Sequence, residues 1–245
     1  MTDVSAIPNV LTDELRAMLA SVSVATITNQ LQNRGMRSTF LSELKPLLTG
    51  QSMVGRARTL RYVAHRQDKL AELSGGVNAQ RRAAETAQPG DVLIIEARNV
   101  PDAGTVGDIY ATRAYCLGAV GIVTDGALRD TPAIAALGKP VYHRSSHGST
   151  WSRHHMPFSN DEPITCAGVY VEPGDVIVGD AEGAVVIPHA LAQEVAQDCV
   201  AQELIEAFAI EKVGAGESTI GLFPLAPERK AEFEAWAAAR PGNPT

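Results

Sequence analysis

The sequence predicts an α/β fold built on a parallel βαβαβ core. Two short apolar runs, DVLIIE (91–96) and AVGIVTDG (119–126), together with a third strand beginning at Pro140-Val141-Tyr142, are separated by helix-length segments. Such runs suit strands buried on both faces, as in parallel sheets. The strand–helix–strand–helix–strand order implies right-handed crossovers.

The elements follow in chain order. Residues 10–35 read as two helices. Thr12 is placed to cap the first, Asp13 and Glu14 sit in its first turn, and the second ends near Gly35. SMVGRARTLRYV (52–63) partly alternates and reads as a strand. Residues 79–88 are helical and stop at Pro89-Gly90. DVLIIE leads into a small-residue loop, ARNVPDAGTVGD, and a helix near 109–118. Asp125-Gly126 reads as a turn at the end of the next strand. After ALRD (127–130) a short helix runs to Leu137. Residues 143–163 are polar and aperiodic and read as one long loop, a kind that is often functional. ITCAGVYV, DVIVGD and GAVVIP are short strands with turns at Pro173-Gly174 and Glu182-Gly183. A long helix covers 189–213, a last helix about 226–239, and the tail RPGNPT is expected to fray.

No linker or repeat interrupts the 245 residues, so a single domain over 1–245 is expected. Hydrophobic residues make up 45% and charged residues 20%, which excludes a disordered chain. Lys plus Arg number 21 against 28 Asp plus Glu, a net charge of −7. A global positive field for nucleic acid is therefore absent, and the pair Arg81-Arg82 reads as a solvated face. No apolar stretch is long enough to span a bilayer, and the N-terminus lacks a basic-then-apolar leader, so a cytoplasmic location is expected. Cys116, Cys166 and Cys199 are far apart and form no CxxC, which points to reduced, packed thiols.

The chemistry concentrates on two loops. In open parallel sheets ligands bind beyond the carboxyl ends of the strands. AGTVGD closes on Asp108 after one strand, and ALRD closes on Arg129-Asp130 after the next. Parallel neighbours put both on one rim. Two carboxylates suit Mg²⁺ or Mn²⁺, which keep several waters. A guanidinium beside that ion fits a carboxylate or an enolate oxygen. Gly104 and Gly107 let backbone N–H groups approach an anion. Together these make a site for a 2-oxo acid. The structural alternatives are that Asp108 or Thr105 caps the following helix, that Arg129-Asp130 is an ion-paired turn with Asp130 as a cap, and that the glycines serve the turn.

AGTVGDIYATRAYCLGAVGIVTDGALRD resembles the core motif of the 4-hydroxy-4-methyl-2-oxoglutarate aldolase family, which includes the regulator of ribonuclease E activity A and its RraA-like relatives. CAGVYVEPGDVIVGDAEGAVVIP and TITNQL (26–31) resemble its later strands and an early helix. The resemblance covers about residues 20–218. It implies a swivelling-domain-like α/β/β sandwich with C-terminal helices, assembled as a homotrimer or hexamer with active sites between subunits. It also implies a divalent metal held directly by Asp130, with Asp108 and Glu206 acting through water, Glu206 coming from the neighbouring subunit's C-terminal helix. Without the resemblance Glu206 reads as part of a solvated helix face. Arg129 would contact the pyruvyl moiety, and the backbone at Gly107, Ile109 and Tyr110 would bind the substrate carboxylate. Three departures stand out: Asn29 replaces the family's usual aspartate, Val106 replaces a frequent aromatic, and the loop 143–163, with His147, Trp151, Arg153, His154 and His155, is longer.

The expectation is a metal-dependent lyase that cleaves a 4-hydroxy-2-oxo acid to pyruvate, with oxaloacetate decarboxylation as a related activity. The alternatives are a non-catalytic regulator acting by protein contact, and a lyase or dehydratase on sugar-acid-derived 2-oxo acids.

Overall fold

The computed structural model describes residues 7–240; from position 241 the tail expected to fray lies outside the described residues. In chain order the elements are α1 (Asp13–Ala20), α2 (Val24–Asn33), β1 (Lys45–Pro46), β2 (Met53–Ala64), α3 (Gln67–Ser74), α4 (Ala79–Glu85), β3 (Asp91–Glu96), β4 (Gly104–Val106), α5 (Asp108–Cys116), β5 (Gly121–Leu128), α6 (Thr131–Ala136), β6 (Val141–Ser146), β7 (His155–Asn160), β8 (Ile164–Cys166), β9 (Val169–Val171), β10 (Val176–Gly179), β11 (Ala184–Ile187), α7 (Ala192–Gly214) and α8 (Lys230–Ala238).

The main sheet runs β1-β6-β5-β3-β2-β10-β11, with β4 added to β5 and β7 to β2. β2, β3, β5 and β6 are parallel neighbours, as the crossovers require. Along β3 the side chains alternate between two cores. Leu93 and Ile95 pack with α4, α5 and α6 through Ala83, Ala111 and Ile134. Val92 and Ile94 face the opposite side, where the β8-β9 hairpin contributes Ile164, Cys166, Val169 and Val171. The result is the expected α/β/β layering, and it explains why these strands read as continuous apolar runs. α1, α2 and α7 close a further core against β10 and β11. The first helix begins as expected, with Thr12 Oγ1 accepting the Leu15 N–H at 3.1 Å; the second is capped in the same way by Ser23, whose Oγ accepts the Thr26 N–H at 3.0 Å.

A buried ion network staples the start of the parallel core. Asp91, 1% exposed, accepts from Arg56 Nη2 at 2.7 Å and Arg58 Nη1 at 3.0 Å. Arg58 also pairs with Asp161 at 2.7 Å, just beyond β7. Each buried charge therefore has partners, the condition under which burial is tolerated.

Three sequence expectations are corrected. Asp125-Gly126 is not a turn but lies inside β5. A Cβ on Gly126 would sit 2.6 Å from Ala97 Cβ and 3.0 Å from Thr105 Cγ2, so glycine serves close packing there. The small-residue loop contains the strand β4, and α3 was not foreseen. Residues 143–163 are not one loop: they hold most of β6, a 3₁₀ turn at Trp151–Arg153, and β7, which pairs antiparallel with β2. A six-residue strand without a clean alternation has no periodic signature, and only its partner reveals it. All three cysteines are free thiols, and no helix among the described residues is long and apolar enough to cross a membrane.

Asp125 holds the chain leaving β3. It accepts from Ala97 N at 2.5 Å, Asn99 N at 3.2 Å and Ala167 N at 3.3 Å. Burial raises its pKa from 3.8 to about 6 despite these donors. The folded state therefore favours the proton, and the stability it contributes is full below about pH 4 and lost as pH rises through about 6. Relative to Asp125→Asn, the wild-type chain should lose on the order of 2–3 kcal/mol between pH 4 and 7. Urea unfolding of both proteins at the two pH values measures this; a constant gap would refute it.

Candidate functional site

β4 and the N-terminus of α5 carry one half of the site. Gly107 is the N-cap of α5, and having no side chain it leaves the first N–H groups of the helix without a cap from that position. Asp108 follows at the first helical position; its Oδ1 accepts the Ile109 N–H at 2.8 Å. Thr105 does not cap the helix. It is fully buried, its Oγ1 lying 3.1 Å from Thr124 Oγ1 and 3.0 Å from the Ala127 carbonyl.

The end of β5 carries the other half. Arg129 N–H donates to the Val106 carbonyl at 3.0 Å, which fixes the two rims side by side. Asp130 precedes α6 with φ 57°, a left-handed conformation, and its side chain caps nothing. It lies instead beside Arg129, whose Nε donates to Asp130 Oδ2 at 3.1 Å; both side chains are about one third exposed. The helix-cap reading of Asp130 is thus met by position but not by the carboxylate, and the ion-paired turn is present. A left-handed aspartate whose side chain makes no cap bond is backbone strain of the kind that gathers at functional sites. A Cβ on Gly107 would lie 2.8 Å from Asp130 Oδ2 and 3.8 Å from Arg129 Nη2. Glycine is thus what lets Asp130 and Arg129 reach the start of α5.

The cleft over this junction encloses about 380 Å³, a size suited to a small molecule. Gly104, Gly107, Asp108, Ile109, Tyr110 and Arg129 line it from the two rims, while Asn78, Gln80 and Arg81 of the α4 end face them and Trp151 with Thr150 forms a side wall. The sequence reading missed the α4 contribution. A helix starting at an N-cap Asn just before β3 was its only available signal. Gln80 is buried; its Nε2 donates to the Thr105 carbonyl, and its Oε1 accepts from Trp151 Nε1 at 3.1 Å.

Other expected residues lie elsewhere. Glu206, on α7, accepts from Gln202 and borders an apolar groove with Ala209, Ile210, Val213 and Phe223; within the chain it does not line the cleft. Of the histidines of 143–163, His147 and His154 have ordinary partners, whereas neither ring nitrogen of His155 has a hydrogen-bond partner among the described residues. His147 Nδ1 accepts from Ser149 N at 3.1 Å, and His154 pairs with Asp102 at 2.9 Å. His155 is fully buried 4.9 Å from the Tyr62 ring, and burial lowers its pKa to about 4. Among the described residues no group of three or more His, Cys, Asp or Glu is arranged to hold a metal. What the two rims offer is a pair of half-exposed carboxylates, Asp108 lining the cleft and Asp130 beside Gly107 at its edge. That donor set fits a hard dication that keeps most of its water, and it does not fit a closed tetrahedral zinc site.

A family model described as Aldolase/RraA, RraA-like, matches residues 24–186. A relative from Halalkalibacterium halodurans, named "Putative 4-hydroxy-4-methyl-2-oxoglutarate aldolase", is 37% identical over 156 residues, 64% of this chain and 69% of its own. Protein DlpA of Legionella pneumophila is 27% identical over 192 residues, 78% of this chain but 30% of its own. The crystal structure of Streptomyces coelicolor RraAS2, described as an unusual member of the RNase ES inhibitor RraA protein family, superposes with a TM-score of 0.73 at 33% identity, over 81% of this chain and 96% of that one. With the α/β/β layers and the glycine-cradled junction of β4 and β5 in place, these matches establish that the chain belongs to the Aldolase/RraA family of RraA-like proteins.

Proposed function

We propose that the chain is a divalent-metal-dependent lyase that splits a 4-hydroxy-2-oxo acid to release pyruvate. The observation that carries this reading is the convergence of Arg129 and Asp130 on the uncapped start of α5 at Gly107. A 2-oxo acid presents a carboxylate and an adjacent carbonyl. The N–H groups of Tyr110 and of Ile109, the latter held by Asp108 Oδ1 at 2.8 Å, suit the carboxylate, because the N-terminus of a helix attracts anions. Arg129 sits beside them, at the place for the carbonyl oxygen.

In the retro-aldol step the C4 hydroxyl loses its proton, the C3–C4 bond breaks, and C4 leaves as an aldehyde or ketone. C3 keeps the electron pair as the pyruvate enolate and then takes a proton. Arg129 faces the oxygen on which this charge grows, and such a contact is worth more in the transition state than in the ground state. Asp108, half-exposed at the rim, handles the proton through water. A Mg²⁺ or Mn²⁺ ion held by Asp130, with Asp108 in reach of its water, would supply Lewis-acid stabilisation of the same charge. Oxaloacetate decarboxylation passes through the same enolate, with CO₂ as the leaving fragment.

The site is shared between subunits of a homotrimer or hexamer in this reading, with Glu206 serving the neighbour's cleft. Its surroundings support this: Ile210, Val213 and Phe223 beside it are 71%, 38% and 53% exposed, an apolar patch suited to covering by another chain. The second reading, a non-catalytic regulator that acts by protein contact, is favoured by the likeness to RraAS2. Pyruvate release from a panel of 4-hydroxy-2-oxo acids separates the two.

Chelation with EDTA should abolish pyruvate release, and Mg²⁺ or Mn²⁺ should restore it; full activity after exhaustive chelation would overturn metal dependence. Titration with Mn²⁺ should show Asp130→Ala weakening ion binding more than Asp108→Ala. Arg129→Lys should lower turnover by roughly 10²-fold, about 3 kcal/mol, because an ammonium lacks the planar fork. Wild-type turnover in that variant would reduce Arg129 to a structural role. Finally, Glu206→Gln and Asp130→Ala proteins, each weak alone, should regain activity when mixed and allowed to exchange subunits. Absence of recovery in subunits shown by mass spectrometry to have exchanged would rule out the shared site.

A further inference from the structure

We propose that the cavity between the chain after α2 and the turn before β10 is a second binding site, and that it takes a small organic ammonium ion with an apolar body. The cavity encloses about 350 Å³ and shares no lining residue with the cleft over β4 and β5.

Three features of the cavity point to that ligand. The first is an unused hydroxyl. Residues 39–41 are fixed along β11: the Thr39 carbonyl accepts the Val186 N–H at 2.9 Å, and the Leu41 N–H donates to the Ala184 carbonyl at 2.9 Å. Thr39 lines the cavity and is 4% exposed, yet its Oγ1 has no hydrogen-bond partner among the described residues. Buried polar atoms almost always have one, because an unmade bond costs stability. A polar group bound beside Thr39 supplies the missing partner.

The second is charge. Glu172 and Asp175 line the cavity, and no lysine or arginine does. Glu172 is half-buried, and its Oε1 accepts the Tyr170 hydroxyl at 2.9 Å, a bond that keeps the carboxylate beside the ring. Asp175 is 5% exposed and accepts from Glu172 N at 2.9 Å and His189 N at 3.1 Å. Burial raises its pKa despite these donors, so its negative charge is only partly compensated by the protein. A cation in the cavity offsets that charge, and an anion would add to it.

The third is the sense of the remaining polar groups. His189 Nδ1 lies 3.3 Å from Asp175 Oδ1. An ionised carboxylate only accepts, so Nδ1 carries the hydrogen and Nε2 of the neutral ring is an acceptor. With Glu172 and the Thr39 hydroxyl, the lining is rich in acceptors, the complement of the three N–H donors of an ammonium group. Met36, Val169, Val186 and Pro188 supply apolar walls for the ligand's carbon body, and Tyr170 adds an aromatic surface that suits a cation.

Saturation-transfer NMR titrations of the full chain with phenethylammonium, 2-phenylethanol and 3-phenylpropionate test this. The three probes share a ring and a short chain and differ in carrying a positive, a neutral or a negative head. Phenethylammonium should bind roughly 10-fold more tightly than either of the others at neutral pH. Glu172→Gln should bring that ratio towards one. Thr39→Val should weaken phenethylammonium about 5-fold, and Thr39→Ser, which keeps the hydroxyl, should not. Far-UV circular dichroism checks that each variant is folded. Arg129→Lys, in the other cleft, should leave the binding as it is. Equal binding of the three probes, or binding of none, overturns the proposal. An ammonium preference unchanged in Glu172→Gln, or an affinity unchanged in Thr39→Val, does the same. Loss of binding in Arg129→Lys would put the probe in the cleft over β4 and β5 and also overturn it.

Discussion

Thr105 joins the parts of the molecule that make the cleft. It is fully buried at the middle of the three-residue strand β4. Its carbonyl accepts the Tyr62 hydroxyl at 2.7 Å and the Gln80 amide, while its Oγ1 lies 3.0 Å from the Ala127 carbonyl and 3.1 Å from Thr124 Oγ1. A strand this short buries too little apolar surface to hold itself in place; its position is set by directional bonds whose loss inside the protein would leave buried polar atoms unpaired. Through them the rim bearing Gly107 and Asp108 is locked to β5, which bears Arg129 and Asp130. Through Gln80 the same node seats α4 and Trp151, so both walls of the cleft depend on one residue.

The chain uses charge in two ways, and burial separates them. Asp91 is saturated by Arg56 and Arg58 at 1% exposure. It has no open oxygen to offer a ligand, and removing any partner would strand a buried charge. Asp130 has one guanidinium beside it and a side chain 35% exposed, so it is not saturated as Asp91 is. The same residue types therefore act as a staple at the amino ends of the parallel strands and as a binding rim at their carboxyl ends.

The region after β6 shows how context reassigns residues. His154 and Arg153 both engage Asp102, His155 enters the core under Tyr62, and β7 adds a strand beside β2. Trp151 and Thr150 are what this region presents to the cleft. This stretch forms a strand and a wall of the cleft, and none of its histidines lines the cleft.

The sequence by itself determined the layered α/β fold, the placing of most helices and strands, and the pairing of Asp108 with Arg129-Asp130 on one rim. These follow from local periodicity and from the rule that parallel strands end on the same side, both of which are written in short segments. Tertiary structure decided what depends on a partner far along the chain. That Gly126 packs instead of turning, that residues 155–160 form a strand, and that α4 closes the cleft all rest on contacts between segments tens of residues apart. Asp130 shows the division most plainly. Its place before a helix marks it as a cap, and only the left-handed backbone beside a side-chain-free Gly107 leaves its carboxylate with Arg129 instead.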